Sequence, residues 1–502
     1  MTKNYYITTP IYYVNDSPHI GHAYTSVACD VMARYMRGLG SNVRFLTGTD
    51  EHGQKVEKAA EVKGIDPQSF TDDVSKRFRS LSGLLNLSND DFVRTTEDRH
   101  KQGAVALWND LLEKGFIYLD KYAGWYAVRD EAFYLEKDLI DGKAPTGAPV
   151  EWVEEPSYFF ALSKFQDRLL EFYQKNPDFV QPQSRFNEVI SFVKGGLMDL
   201  SVSRASFKWG VKIPQNPEHV MYVWLDALTN YISALGYPDK NSMYKDFWPA
   251  DVHMVGKDIL RFHAVYWPAF LMAADLPCPK KIVAHGWWTI DGEKMSKSVG
   301  NVIDPNDLIA EFGLDQTRYF LMKEVPFGLD GNFSKASMQN RINSELANNI
   351  GNLAQRTLAF INKNAEAKVP EVNVDALYKE ALLADLAKKV EEYHELMGQQ
   401  KFSYALEAVI DIANSANLFI ETQAPWALRK TDVNRMNEVL YMLIELIRHV
   451  AVLLLPFMPD AMNKLLDQLS VNDRSFTSLS KEYAIKSGSL LPVPQGLFPR
   501  IG

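Results

Sequence analysis

Three stretches at the start of the chain constrain the fold most: "YYITT" (5–9), "AYTSVACDVMARYMRG" (23–38) and "NVRFLTG" (42–48), the last running into "TDEHG" (49–53). The first and third are aromatic and β-branched, as strands are, while the second carries apolar residues at helical spacing and stops at Gly38 and Gly40. A strand, a helix and a strand within fifty residues build a parallel sheet, which takes ligands at the carboxyl ends of its strands. The joint between strand and helix reads "NDSPHIGH" (15–22). Ser17 is expected to cap the helix and Pro18 to occupy its first position, so that His19 and His22, three apart, share one side of the first turn. Backbone amides at that turn attract phosphate. Two histidines capping an ordinary surface helix would look the same, and this stretch alone leaves both readings open.

A chain of 502 residues exceeds one ordinary core, so two to four domains are expected. Hydrophobic residues at 46% and charged ones at 23% place it with folded globular proteins. The longest apolar run, "VLYMLIELIRHVAVLLLPFMP" (439–459), is interrupted by Glu445, Arg448 and His449, which suits a buried helix better than a membrane span. No membrane partner is expected. "MTKN" leads straight into the first strand with no visible targeting segment, and Cys29 and Cys278 are the two cysteines, so a reducing cytoplasm is the expected location. The net charge of −9 excludes strong nonspecific binding to nucleic acid, but local basic patches on an acidic body can still hold a folded RNA.

The texture changes along the chain. Residues 1–116 form the first half of an α/β domain. Aromatics, turns and mixed charges over 117–212 ("YAGWYAVRDEAFYLEKD", "APTGAPVEWVEEP") read as an inserted domain, after which "HVMYVWLDAL", "DVHMVGKDIL" and "KKIVAHGWWTIDG" resume the α/β pattern over 213–280. A region at 281–355 contains a lysine-rich loop, and 356–502 reads as a bundle of amphipathic helices, with 362–375 its most linker-like piece. The loop is "DGEKMSKSVGNVIDP" (291–305). It offers two ammonium groups and two hydroxyls in five residues between Gly292 and Gly300, which suits closure on a triphosphate.

"HIGH" at 19–22 and "KMSKS" at 294–298, in that order, resemble the paired signatures of class I aminoacyl-tRNA synthetases. Average composition would produce both about once in a million such chains. "TPIYYVNDSPHIGH", "TGTDEHG", "YVWLDAL", "VGKDILRFH" and "QAPW" further resemble the methionyl-tRNA synthetase family across about residues 4–460. The resemblance implies an α/β fold: a Rossmann-type parallel-sheet catalytic domain with an inserted connective domain, followed by an all-α anticodon-binding helix bundle. It implies ATP, accompanied by Mg²⁺, L-methionine and tRNA-Met as partners. Competing readings are a class I synthetase for valine, isoleucine or cysteine, against which the aromatic pocket argues, and a noncatalytic tRNA-binding paralogue, against which the intact signatures argue.

Carried over position by position, the resemblance gives His19, His22, Lys294, Lys297 and Arg204 catalytic roles on the phosphates. It places ATP against His19, Gly21, His22, Gly256, Asp258, Lys294, Ser296 and Lys297. Asp50 would hold the methionine amino group, and Ile11, Tyr13, Trp224, Ala227, Leu228, Tyr231, Ile259 and His263 would surround the side chain, since aromatic edges suit a thioether sulfur. Leu228 stands where some relatives have proline. Asn417, on the apolar face of its helix, would read an anticodon base, because a buried amide wants a ligand or a polar neighbour. Some relatives stack another base on a later tryptophan, and none follows Trp426. Many relatives hold a zinc in the insert through cysteines, where this chain has Ala127 and Asp130, so no metal is expected there. A monomer is expected, without the appended C-terminal module that dimerises some relatives.

Overall fold

In the computed structural model, which describes residues 2–14, 17–130, 132–134, 136–290, 292–295 and 302–502, the chain divides into two compact units. One comprises 4–18 and 44–285, the other 1–3, 19–43 and 286–502.

The first unit is built on a seven-stranded sheet in the order Tyr12–Tyr13, Asn42–Asp50, Asn4–Thr8, Val252–Gly256, Ile282–His285, Val180–Gln181, with Asp91–Arg94 paired to Asn42–Asp50. The strand pairs of known register are parallel, for example Ile7 beside Val252 and Gly256 beside His285. Val252–Gly256 and Ile282–His285 are buried along their whole length, as strands covered on both faces must be. Gly48 sits beside Val93, and a Cβ there would lie 2.0 Å from the Val93 carbonyl oxygen, so this strand contact requires glycine.

Within 117–212, Ile117–Ala127 and Glu151–Phe160 form a long antiparallel ladder, extended by Ala132–Tyr134 and Leu200–Ser201. Trp125 and Trp152 meet edge to face across it, at 5.3 Å. Two strands depart from the sequence pattern. Val180–Gln181 lies within the inserted segment but pairs in parallel with Ile282–His285 on the main sheet. Asn216–Met221 lies between Ser203–Arg204 and Lys212–Ile213 in a small antiparallel sheet. Its first half is polar and mostly exposed, which suits a one-sided sheet better than a covered parallel one.

The second unit is mostly helical. Ile20–Gly38 packs here, beside a hairpin of Trp288–Ile290 and Glu293–Lys294 that is joined in parallel by Gly331–Asn332. Ala381–Gly398, Phe402–Gln423, Val433–Leu454 and Pro459–Gln468 form the bundle. The apolar run inside Val433–Leu454 is a buried helix, and no described helix is long and apolar enough to cross a membrane. Its Glu445 and Arg448, both fully buried, pair at 2.6 Å. Arg318 anchors Ile20–Gly38 to the bundle, donating to Asp30 at 2.6 Å and to the carbonyls of Pro456 and Phe457.

Candidate active site

In the second unit the first-turn histidines cap their own helix. The helix begins at Ile20, and His19, with extended backbone, is the capping residue; this corrects the expectation that Ser17 caps and Pro18 is helical. His19 Nδ1 accepts from the Gly21 amide at 3.0 Å, and His22 Nδ1 accepts from the His19 amide at 3.1 Å. An imidazole does here what a hydroxyl usually does. The two rings are 3.9 Å apart, as the spacing predicts. Burial, and then the neighbouring ring, pull His22 well below the usual histidine value, so it is neutral. With Nδ1 of both rings accepting, each carries its proton on Nε2 and donates from there. Gly21 follows from the same geometry: a Cβ would lie 2.8 Å from the His19 ring.

In the same unit the described end of the lysine loop meets this turn. The Ile20 amide donates to the carbonyl of Ile303, near the loop's C-terminal end, at 3.1 Å, and Tyr24 meets Trp288 of the hairpin edge to face. Gly292 has φ of +80° at the hairpin's tight turn, a conformation that favours glycine. Ser296, Lys297 and the side chain of Lys294 lie outside the described residues.

In the first unit, Tyr13 and Asp50 are paired at the carboxyl ends of two neighbouring strands, with the Val14 amide donating to the Asp50 carbonyl at 3.1 Å. Asp50 is 7% exposed. The segment from Val223–Leu228 into Asn230–Ser233 supplies Trp224, Ala227, Leu228 and Tyr231. Tyr231 hydrogen-bonds His263 Nε2 at 2.7 Å, and His263 Nδ1 lies 2.9 Å from the Ile259 carbonyl. A carbonyl only accepts, so Nδ1 carries the proton and Tyr231 donates to Nε2. Burial lowers His263 to about 4, which keeps it neutral. Trp224 stacks on Phe262 at 3.6 Å, a partner the sequence reading missed. Ile11 packs partly buried against this core, and Leu228 is fully within it.

Gly256 ends its strand where Asp258 folds back: a Cβ would lie 2.6 Å from the Asp258 carboxylate. A cleft of about 310 Å³ opens there, lined among others by Glu188, Phe192, Lys257, Asp258, Arg261 and Phe262. Arg204 is buried; its guanidinium donates to Ser201 Oγ and the Ser203 carbonyl and lies over the Tyr222 ring at 4.4 Å. In the insert, Ala127 packs with Ala144 and Ala148, and Asp130 bonds Tyr134, Thr146 and Arg129.

In the bundle, Asn417 is half-buried, and its amide nitrogen donates to Asn349 Oδ1 at 2.7 Å and to the Ala413 carbonyl, so its polar neighbour is Asn349. Nearby in the same unit Trp426 is 44% exposed with the Arg356 guanidinium over its ring at 5.8 Å. A half-exposed aromatic face of this kind has the chemistry to stack a flat ring.

Comparison with known proteins decides the family. The model for class I tRNA synthetases (M) matches residues 5–151 and 136–358, and that for the anticodon binding domain of methionyl tRNA ligase matches 369–502. The chain belongs to the methionyl-tRNA synthetase family. It is 61% identical to the methionine–tRNA ligase of Rickettsia felis, covering 100% of this chain and 99% of the relative, and 52% identical to that of Rhizobium meliloti, covering 99% and 98%. Among solved structures it resembles Mycobacterium tuberculosis methionyl-tRNA synthetase in complex with methionyl-adenylate, with TM-score 0.95 and 47% identity over 99% of this chain and 100% of that one. The chain is thus a class I aminoacyl-tRNA synthetase, with a Rossmann-like parallel-sheet domain and a helical anticodon domain as the family pattern implies.

Proposed function

We propose that this chain activates L-methionine with ATP and passes the methionyl group to tRNA-Met. The single observation that carries the reading is the helix turn whose two imidazoles present Nε2–H donors of the kind phosphate oxygens accept; the aromatic Tyr231–His263 pair of the other unit, locked in one tautomer, separately suits a methionine side chain. A methionine carboxylate oxygen attacks the α-phosphorus and the bond to pyrophosphate breaks. A carboxylate is already ionised, so no base is required, and the rate depends on positioning and on stabilising phosphate charge. A terminal ribose hydroxyl of tRNA then attacks the methionyl carbonyl, and AMP leaves.

His19 and His22 donate to phosphate oxygens. Lys294 and Lys297 neutralise the departing pyrophosphate, with Mg²⁺ arriving as part of the ATP substrate. Asp50 pairs with the methionine ammonium, and Asp258 binds the adenosine ribose. Arg204 supports the phosphate end of the site from its buried position. Asn417, its amide nitrogen engaged by the protein, offers an anticodon base its acceptor oxygen, and Trp426 offers a stacking face. Charging of tRNA with labelled methionine tests the whole reading: tRNA-Met should be charged, and the same tRNA with an altered anticodon should be charged at least a hundredfold less well. Equal charging of both would refute anticodon reading by the bundle.

A further inference from the structure

A buried carboxylate that the sequence reading left unassigned lies between the two ends of the methionine site. Asp226 is in the helix Val223–Leu228, two residues after Trp224 and one before Ala227, and is fully buried. Its Oδ2 is 2.6 Å from His52 Nδ1 and its Oδ1 is 2.7 Å from His100 Nε2. His100 Nδ1 in turn meets Ser233 Oγ at 3.0 Å. Both histidines are buried, at 3% and 0% exposure, so no water competes for these bonds.

Each partner belongs to a different element. His52 follows Asp50 by two residues and is itself pinned: Glu51, between them, takes two bonds from Arg94 and others from Thr49 and Thr96, and the ring lies edge to face with Trp209. His100 belongs to the helix Asp98–Glu113, which approaches so closely that a Cβ on Gly103 would lie 2.7 Å from the Ser233 Cβ. Asp226 therefore joins the strand end that carries Asp50 to the helical segment that carries Trp224, Ala227, Leu228 and Tyr231. Burial alone would raise this carboxyl, but His52 and His100 outweigh burial and hold it below the usual carboxylate range, so it is ionised within the clamp.

We infer that Asp226, with His52 and His100, is a positioning residue that fixes the distance between the carboxylate receiving the amino group and the wall receiving the side chain. The inference rests on the methionine site proposed above. The clamp sets the spacing that one amino acid must span to meet both at once.

The test is methionine-dependent exchange of pyrophosphate into ATP by the full chain. Asp226→Asn keeps the volume but removes the charge and one acceptor; it should raise the methionine KM at least tenfold while the ATP KM stays within twofold. His52→Ala should do the same. His52→Asn, whose amide nitrogen replaces Nδ1–H, should recover to within threefold of the parent, and it decides the matter if Asp226→Asn does not fold. The clamp is refuted if both KM values rise together, if activity falls only with the fraction of folded protein at unchanged methionine KM, or if His52→Asn is as impaired as His52→Ala. Absence of methionine-dependent exchange in the parent chain would instead refute the functional reading.

Discussion

At the scale of the residue, the first helical turn serves folding and the proposed chemistry with one geometry. His19 and His22 satisfy two amides at the helix start with Nδ1, and that act puts their protons on Nε2 as donors. Gly21→Ala should therefore damage catalysis more than stability, because the new methyl displaces the His19 ring, 2.8 Å away, and not the helix. We expect pyrophosphate exchange to fall about a hundredfold, the usual consequence of misplacing one transition-state donor, with methionine affinity by calorimetry unchanged. A matching loss of methionine affinity would show that the turn acts on the whole fold. The sequence disclosed best what spacing alone fixes, such as the closeness of these two rings, 3.9 Å apart on one side of the first turn. Asp226 stayed hidden because one acid in "YVWLDAL" looks like any helix residue until His52 and His100, far away in sequence, close on it.

At the scale of the element, strands and helices were legible where burial is uniform, as in Val252–Gly256, and less so where pairing is decided from far away. Nothing local in "FVQPQ" (179–183) says that Val180–Gln181 will cross to the main sheet, since its partner Ile282–His285 lies a hundred residues on. The helix Leu314–Lys323 contains a similar long-range effect. Asp315 is 5% exposed and accepts from the Ala461 amide at the start of Pro459–Gln468; burial raises its carboxyl to about 6, although that amide and Arg318 pull the other way. The folded state thus holds this proton more tightly than the unfolded one does. The resulting stabilisation is fully present below the unfolded value of 3.8 and is lost as pH rises through 6. Asp315→Asn, which mimics the protonated form, should be more stable than the parent by up to roughly 3 kcal/mol at pH 8, and the difference should vanish near pH 4. Urea denaturation at the two pH values reads this directly, and a variant less stable than its parent at pH 8 would contradict it.

At the scale of the whole molecule, activation and tRNA reading call on different parts of the chain, and they should separate. Trp426→Ala and Asn417→Ala should each lower tRNA charging by about tenfold to a hundredfold, as loss of a stacked or hydrogen-bonded base does, with exchange in the absence of tRNA unchanged within twofold. Equal losses in both assays would mean a folding defect. The sequence pointed to Asn417 through its place on an apolar helix face, and it gave no sign that Asn349 would be the neighbour, because helix faces are paired only in the folded bundle. The claim on which the rest depends is that this chain selects methionine. Exchange of labelled pyrophosphate into ATP, run against a panel of methionine, valine, isoleucine, leucine and cysteine, measures it most directly: methionine should support exchange at least a thousandfold better, by kcat/KM, than any other member of the panel, and preference for a branched aliphatic or a thiol amino acid would contradict the account.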